Sequence, residues 1–277
     1  MVKDIIVNLE PDAANDPACA YALSVARAFG AHLAGAALAF DPMLPGYVGA
    51  ELSPVLIEQV RSEGLTRAKA RLERFDELAK REGVSAEQRL IEASQASAAM
   101  QFSQAARRFD LSVVMQSDRG GTNNDDLIEG VLFGSGRPIA VVPYVQKEPI
   151  SFDRVLCCWD GSQAAARAVN DALPFLSKAR ACNLLIVEND RTKRERMQIR
   201  GADMGKHLAR HGVQVGIERV PSGEIDVASA ILDFAADSSA TLLVMGGYGH
   251  SRLREMILGG ATRAILSSMT LPVLMSH

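Results

Sequence analysis

The sequence is poor in cysteine, has no long apolar run and carries no surplus of either charge, and each absence removes a class of function. Its four cysteines, Cys19, Cys157, Cys158 and Cys182, form no Cys-x-x-Cys pair and no regular spacing, so neither a disulfide framework nor a zinc site is expected. Cys157 and Cys158 are neighbours in an expected strand, where successive side chains point to opposite faces, which keeps them from sharing a metal. Reduced, mostly buried thiols are the expectation. Thirty Lys+Arg against 33 Asp+Glu leave a formal charge of −3, with no basic surplus to announce a nucleic-acid partner. No stretch approaches about 18 uninterrupted apolar residues. Met1-Val2-Lys3-Asp4-Ile5 enters a strand through polar residues, without an apolar signal core or cleavage site. A cytoplasmic protein with no membrane partner is expected.

What is present is the balance of a soluble globular chain, 48% apolar and 23% charged in 277 residues, too rich in aliphatics for disorder. At roughly 150 residues per domain that is one large domain or two ordinary ones. An internal repeat decides for two. Asp4-Ile5-Ile6-Val7-Asn8-Leu9 resembles Arg154-Val155-Leu156-Cys157-Cys158-Trp159, displaced by 150 positions (4 to 154). Leu111-Ser112-Val113-Val114-Met115 stands opposite Thr241-Leu242-Leu243-Val244-Met245, displaced by 130 (111 to 241). Arg137-Pro138-Ile139-Ala140-Val141-Val142 matches Leu271-Pro272-Val273-Leu274-Met275-Ser276, displaced by 134 (137 to 271). The drift from 150 to 130 says that the first half carries about 20 extra residues, and these fall within 41–82. There a Pro/Gly-rich loop, Asp41 to Tyr47, leads into a long charged helix closed by Gly83, which reads either as a lid or interface or as a solvated helix that lengthens the domain.

Each half shows five short apolar runs bounded by Gly, Pro and Asp, with helical patterns between them; in the second half the strands are expected near 154–159, 183–188, 213–220, 241–245 and 272–276. That alternation signals a mainly parallel sheet buried on both faces, an open α/β fold used twice. The polar stretch from Gln146 to Phe152 divides domain 1–145 from domain 152–277. The strand ends 138–143 and 272–276 are natural pairing edges, so an internal pseudo-dimer of the two halves, and a homodimer, are expected.

In open parallel sheets, ligands bind beyond the carboxyl ends of the strands. The second half is punctuated there by Trp159-Asp160-Gly161-Ser162, by Val187-Glu188, by Met245-Gly246-Gly247-Tyr248-Gly249 and, nine residues on, by Gly259-Gly260-Ala261-Thr262 opening the last helix. Gly246 and Gly249 are expected to turn the chain with positive φ, and Gly259 and Gly260 to leave amides uncovered at a helix start, a place that suits phosphate. Each glycine alone reads as structural; the four at this spacing read as a site.

These residues resemble the universal stress protein family. The likeness rests on Gly246-x2-Gly249-x9-Gly259, on Asp160-Gly161-Ser162 after the first strand of the half, and on Leu271-Pro272-Val273-Leu274 at the end. The duplicated layout looks like the family's tandem members. The resemblance implies two Rossmann-like (adenine nucleotide α-hydrolase-like) domains, each a five-stranded mainly parallel sheet flanked by helices. It implies a second domain that holds an adenine nucleotide, ATP first and ADP or AMP otherwise, with or without magnesium. Carried over by position, Asp160 faces the ribose or adenine and the Val187 backbone meets the adenine edge. Met245 and Gly246 line the nucleotide, and Gly249, Gly259, Gly260 and Ala261 present amides to the phosphates. The family usually has Ser or Thr after its third motif glycine; here Gly260 keeps the amide and removes the hydroxyl, a loss worth about 1.5–3 kcal/mol, and Thr262 stands near enough to replace part of it.

The first half departs further, because Gln116-Ser117-Asp118-Arg119 replaces the glycine loop; Asp118 brings negative charge toward a phosphate and Arg119 cannot take the glycine geometry cheaply. A degenerate domain is expected, with Gly134-Ser135-Gly136 as its one small anion nest. Other signals are weaker. Gly201 to His207 imitates a phosphate loop but has one residue too few between its glycines, and reads as a surface helix. His207 and His211 lie one helical turn apart with nothing nearby in sequence to complete a metal site. The basic run Arg191 to Arg196 and Ser251 read as a solvated loop and a helix cap.

Three functions follow from different classes: a stress-response regulator that binds an adenine nucleotide, a slow ATP hydrolase using the same cleft, and a ligand-free dimeric interaction protein. The sequence offers no Walker lysine and no residue to orient water at the phosphate end, so no catalytic residue is assigned.

Overall fold

The computed structural model describes residues 1–11, 16–40, 54–118, 123–188, 201–221, 225–248 and 260–277, without the side chains of 54, 56 and 57. The chain divides into two compact units, Met1–Arg137 and Pro138–His277.

The first unit runs β1 (Asp4–Asn8), α1 (Pro17–Phe29), β2 (His32–Phe40), α2 (Pro54–Glu82), β3 (Ala86–Ala93), α3 (Gln95–Ala106), β4 (Leu111–Met115) and α4 (Asp125–Gly134). Its strands lie in the order β3-β2-β1-β4, all parallel. Ile5, Ile6 and Val7 are successive and all fully buried. Since neighbours on a strand face opposite ways, both sides of the sheet are covered by helices. Local signals start and stop those helices. Asp16 caps α1 by accepting from the Cys19 amide at 2.9 Å, Pro17 opens it and Gly30, at φ 60°, ends it.

The 29-residue helix α2 buries one face, Ala68, Leu72, Phe75 and Ala79, at helical spacing. Phe75 lies flat on Gly35 of β2: a Cβ at position 35 would stand 2.5 Å from the ring. The inserted helix is therefore a packed layer over β2 and β3 along its buried face, from Ala68 to Ala79; its loop, 41–53, lies outside the described residues.

The second unit runs β5 (Ile139–Val142), β6 (Arg154–Cys158), α5 (Gln163–Asp171), α6 (Leu173–Leu176), β7 (Ala181–Glu188), α7 (Gly201–Arg210), β8 (Val215–Pro221), α8 (Val227–Asp237), β9 (Leu242–Gly246), α9 (Gly260–Ser268) and β10 (Val273–Ser276). The order is β5-β10-β9-β6-β7-β8, parallel except that β5 runs antiparallel to β10, with Val141 opposite Val273 and Ile139 opposite Met275. The fifth strand of the first repeat thus joins the fifth strand of the second. The glycines that imitate a phosphate loop serve packing. Gly201 and Gly205 lie on the buried side of α7, where a Cβ would meet Ile186 at 2.5 Å and Ile217 at 3.1 Å. The cysteines are free thiols. The hydrogen bond between Cys157 and Cys182, together with burial, pushes the Cys157 thiol up, and the same bond draws Cys182 down against the opposing effect of burial.

If α2 is fixed by the flat contact of Phe75 on Gly35, Gly35→Ala overpacks it and lowers stability by about 1–3 kcal/mol. Adding Phe75→Leu to that variant recovers part of the loss. Urea unfolding of the two variants is the measurement.

Candidate functional site

From β6 the chain moves outward through β7 and β8, then returns to the other side of β6 for β9 and β10. The strand order reverses between β6 and β9, and at such a point the connections leave in opposite directions and open a crevice at the carboxyl ends. The residues closing those ends are Cys158, Glu188 and Gly246. The last β6–β7 pair is Cys158 with Leu185, and the Trp159 amide continues the ladder by donating to Leu185 O at 2.8 Å. Two positions further along each chain stand Asp160 and Val187. On the other side Cys157 pairs with Val244, which brings Met245 and Gly246 beside them. Four of the expected site residues are assembled by register alone.

Asp160-Gly161-Ser162 is a compact device for leaving the strand and starting α5. Asp160 Oδ1 accepts from the Ser162 amide at 2.9 Å, Gly161 takes φ 78°, and Ser162 Oγ caps α5 by accepting from the Ala165 amide at 3.1 Å. The turn leaves the Asp160 carboxylate half-buried at the crevice.

Gly246 behaves otherwise than expected. It is the last residue of β9 and does not have positive φ; the left-handed residue in this turn is Tyr248, at φ 52°. What requires glycine at 246 is the approach of α5. A Cβ there would fall 2.5 Å from the Ala165 nitrogen and 2.6 Å from the Ala164 carbonyl carbon, backbone atoms that cannot swing aside. Removal of one side chain lets the first turn of α5 rest on the end of β9, next to the crevice.

Gly249 and Gly259 lie outside the described residues. Gly260 opens α9 and is exposed, with nothing within 4 Å of a Cβ built on it, so no packing demands glycine. Ala261 follows, half-buried, and Thr262 is buried, its Oγ1 accepting from the Tyr248 amide at 3.1 Å. Val187 and Met245 are buried as well. Among the described residues no cluster of three or more His, Cys, Asp or Glu is placed to hold a metal ion, and His207 and His211 stack edge to face with ring centroids 4.7 Å apart.

The corresponding crevice of the first unit is filled by its own side chains, which the sequence reading missed. Glu10 stands where Asp160 stands (10 to 160), and it is fully buried. Its Oε1 accepts from Asn8 Nδ2 at 3.1 Å and from Asn124 Nδ2 at 2.9 Å, and Asn124 also donates to Met115 O at 3.0 Å. Asn124 precedes α4, so this network spans the reversal between β1 and β4. Beside it, Arg71 of α2 donates to Leu9 O at 3.0 Å and to Leu38 O at 2.7 Å. By register Leu38 is the counterpart of Val187. Asp16, besides capping α1, accepts from the Glu10 amide at 2.9 Å, and burial pushes its carboxyl up. The opening turn of α4 carries Asp125 and Asp126 at the positions of Gly259 and Gly260. One signal was available: Arg71 falls on the same helical face as Ala68, Leu72 and Phe75.

A doubly wound, mainly parallel sheet with its crevice at the reversal of strand order defines a Rossmann-like α/β protein. Residues 151–277 match the family model described as "Universal stress protein family". A curated universal stress protein of Synechocystis sp. is 27% identical over 178 residues, which are 60% of this chain and 58% of that protein. The chain thus spans somewhat over half the length of that relative. Among solved structures, a universal stress protein from Archaeoglobus fulgidus DSM 4304 superposes with a TM-score of 0.73 at 18% identity, covering 98% of this chain and 97% of that one. A functionally unknown protein from Pseudomonas aeruginosa PAO1 gives 0.63 at 16% identity, covering 99% and 92%. At those identities the likeness is one of fold. The match to the universal stress protein family covers residues 151–277, and the fold of the whole chain, in two units, is like that of the Archaeoglobus fulgidus structure.

The packing at residue 246 predicts that Gly246→Ala, a change of one methyl group, lowers stability of the second unit by about 1–3 kcal/mol. Gly260→Ala, with open space around it, leaves stability unchanged or slightly raised. Thermal unfolding of the two variants separates the packing glycine from the exposed one.

Proposed function

We propose that this chain is a cytoplasmic stress-response regulator that binds one adenine nucleotide, ATP first, in the crevice of the second unit. One observation carries the reading. Asp160, Val187, Met245 and Gly246 converge at the strand-order reversal, and Thr262 ties the start of α9, which opens on the exposed Gly260, to the turn after Gly246. A helix start on an exposed glycine favours phosphate, and a carboxylate at the far end of the crevice favours ribose hydroxyls. The residues present therefore suit an adenylate. A bound magnesium ion would offset phosphate charge there. The chain's own contribution is to bind and orient. The backbone amides of Gly249, Gly259, Gly260 and Ala261 meet the phosphates, Asp160 accepts from the ribose or adenine, and Val187 offers backbone to the adenine edge.

The first unit is assigned no nucleotide. Its Leu38 carbonyl, the counterpart of the adenine-reading position, is taken by Arg71, and carboxylates replace the glycines at the start of α4. Binding is thus expected at one site per chain, with pairing of the two halves, and of two chains, serving assembly.

Calorimetric titration with ATP, ADP and AMP tests this. The expected result is one site per chain, abolished by Gly249→Val. Gly260→Ser restores the hydroxyl that the family pattern carries, at a position with room for it, and tightens binding about ten- to a hundredfold. Absence of heat with all three nucleotides at millimolar concentration would contradict the proposal.

A further inference from the structure

The turn that follows β9 contains one peptide unit whose two polar ends are both held by side chains. The Gly247 carbonyl lies 2.9 Å from Nδ1 of His277, at the end of β10, and the Tyr248 amide donates to Thr262 Oγ1 at 3.1 Å, in the first turn of α9. The Gly247 amide donates in turn to Ser276 O at 2.9 Å. A carbonyl can only accept, so Nδ1 of His277 carries the proton. A trans peptide is planar, with its C=O and N–H pointing opposite ways. Partners on both sides therefore fix the orientation of that plane and not merely the path of the chain. The strain of the turn is consistent with such a hold: Tyr248 is a non-glycine residue with φ 52°, a conformation that persists only when its surroundings over-determine it.

We propose that His277 and Thr262 form a two-sided clamp on the Gly247–Tyr248 peptide, and that His277 is a positioning residue for the nucleotide site. The clamp sets the direction in which the chain leaves β9 toward Gly249. Through Thr262 it ties that departure to the helix start that bears Gly260. Thr262 therefore acts first on the loop: its oxygen accepts from the protein backbone. The benefit is preorganisation, since a loop already held in its binding form loses less freedom when a ligand arrives. This inference rests on the nucleotide reading for its consequence, while the clamp itself is a property of the unliganded chain.

Two measurements test the two parts separately. Nitrogen-15 NMR of the unliganded full chain reports which imidazole nitrogen of neutral His277 carries hydrogen. The clamp requires Nδ1–H, against the Nε2–H form usual for a solvated histidine. An Nε2–H His277 would overturn it. Calorimetry with ATP then compares three variants. His277→Ala is expected to weaken binding about five- to thirtyfold. His277→Asn, whose amide nitrogen can take the place of Nδ1, stays within about threefold of the parent. Thr262→Val weakens binding as His277→Ala does, while thermal unfolding of the His277 variants is unchanged. Parental affinity in His277→Ala, or failure of His277→Asn to restore it, would overturn the positioning role. A parent protein that carries Nδ1–H at His277 yet gives no heat with ATP supports the clamp and overturns the nucleotide reading instead.

Discussion

The second unit depends on a contact in which there is no room for a side chain. The first turn of α5 rests on the end of β9 so closely that a methyl group at Gly246 would lie inside van der Waals distance of two backbone atoms. That contact places the start of α5, and with it the Asp160 turn that leads into it, beside the end of β9. Its neighbours serve the same end. Ser162 caps α5, Gly161 supplies the left-handed residue that aims it, and the end of β10 holds Gly247 from the other side. The candidate site is a consequence of how one helix start and two strand ends are spaced, more than of any single reactive group.

The two units show what the same scaffold does with different contents. Both place an acidic residue after their first strand, at 10 and 160, and both reverse strand order at that strand. In the first unit the acid is buried and bonded to two amide side chains, and a guanidinium from the long helix α2 satisfies the neighbouring carbonyls. In the second the acid is half-buried and braces a turn. A buried carboxylate needs hydrogen-bond partners, and the first unit supplies them from its own chain. What looks in sequence like decay of a motif is, in the fold, its replacement by an internal network.

Much of this was legible beforehand because it depends on period and spacing. Repeats at 4 and 154, 111 and 241, and 137 and 271 disclosed the two-fold duplication, and short aliphatic runs disclosed strands buried on both faces. The expected strands near 154–159, 183–188, 213–220, 241–245 and 272–276 fall within a few residues of β6 to β10. What could not be read was anything set by approach between distant segments. Positive φ was expected at Gly246 but belongs to Tyr248, because the need for glycine there came from Ala164 and Ala165, some 80 residues away in the chain. Arg71, Asn124 and His277 gained their roles in the same manner, from partners that no local pattern announces. The glycines of Gly201-x3-Gly205 imitated a phosphate loop for a reason that only packing against Ile186 and Ile217 explains.

Crystals of the full chain grown with ATP and magnesium offer the most direct measurement of the central claim. The account requires difference density for one adenylate per chain, its adenosine against Asp160 and Val187 and its phosphates on the amides at the start of α9. Ordered crystals with that crevice empty, or with the adenylate bound in the first unit instead, would contradict it.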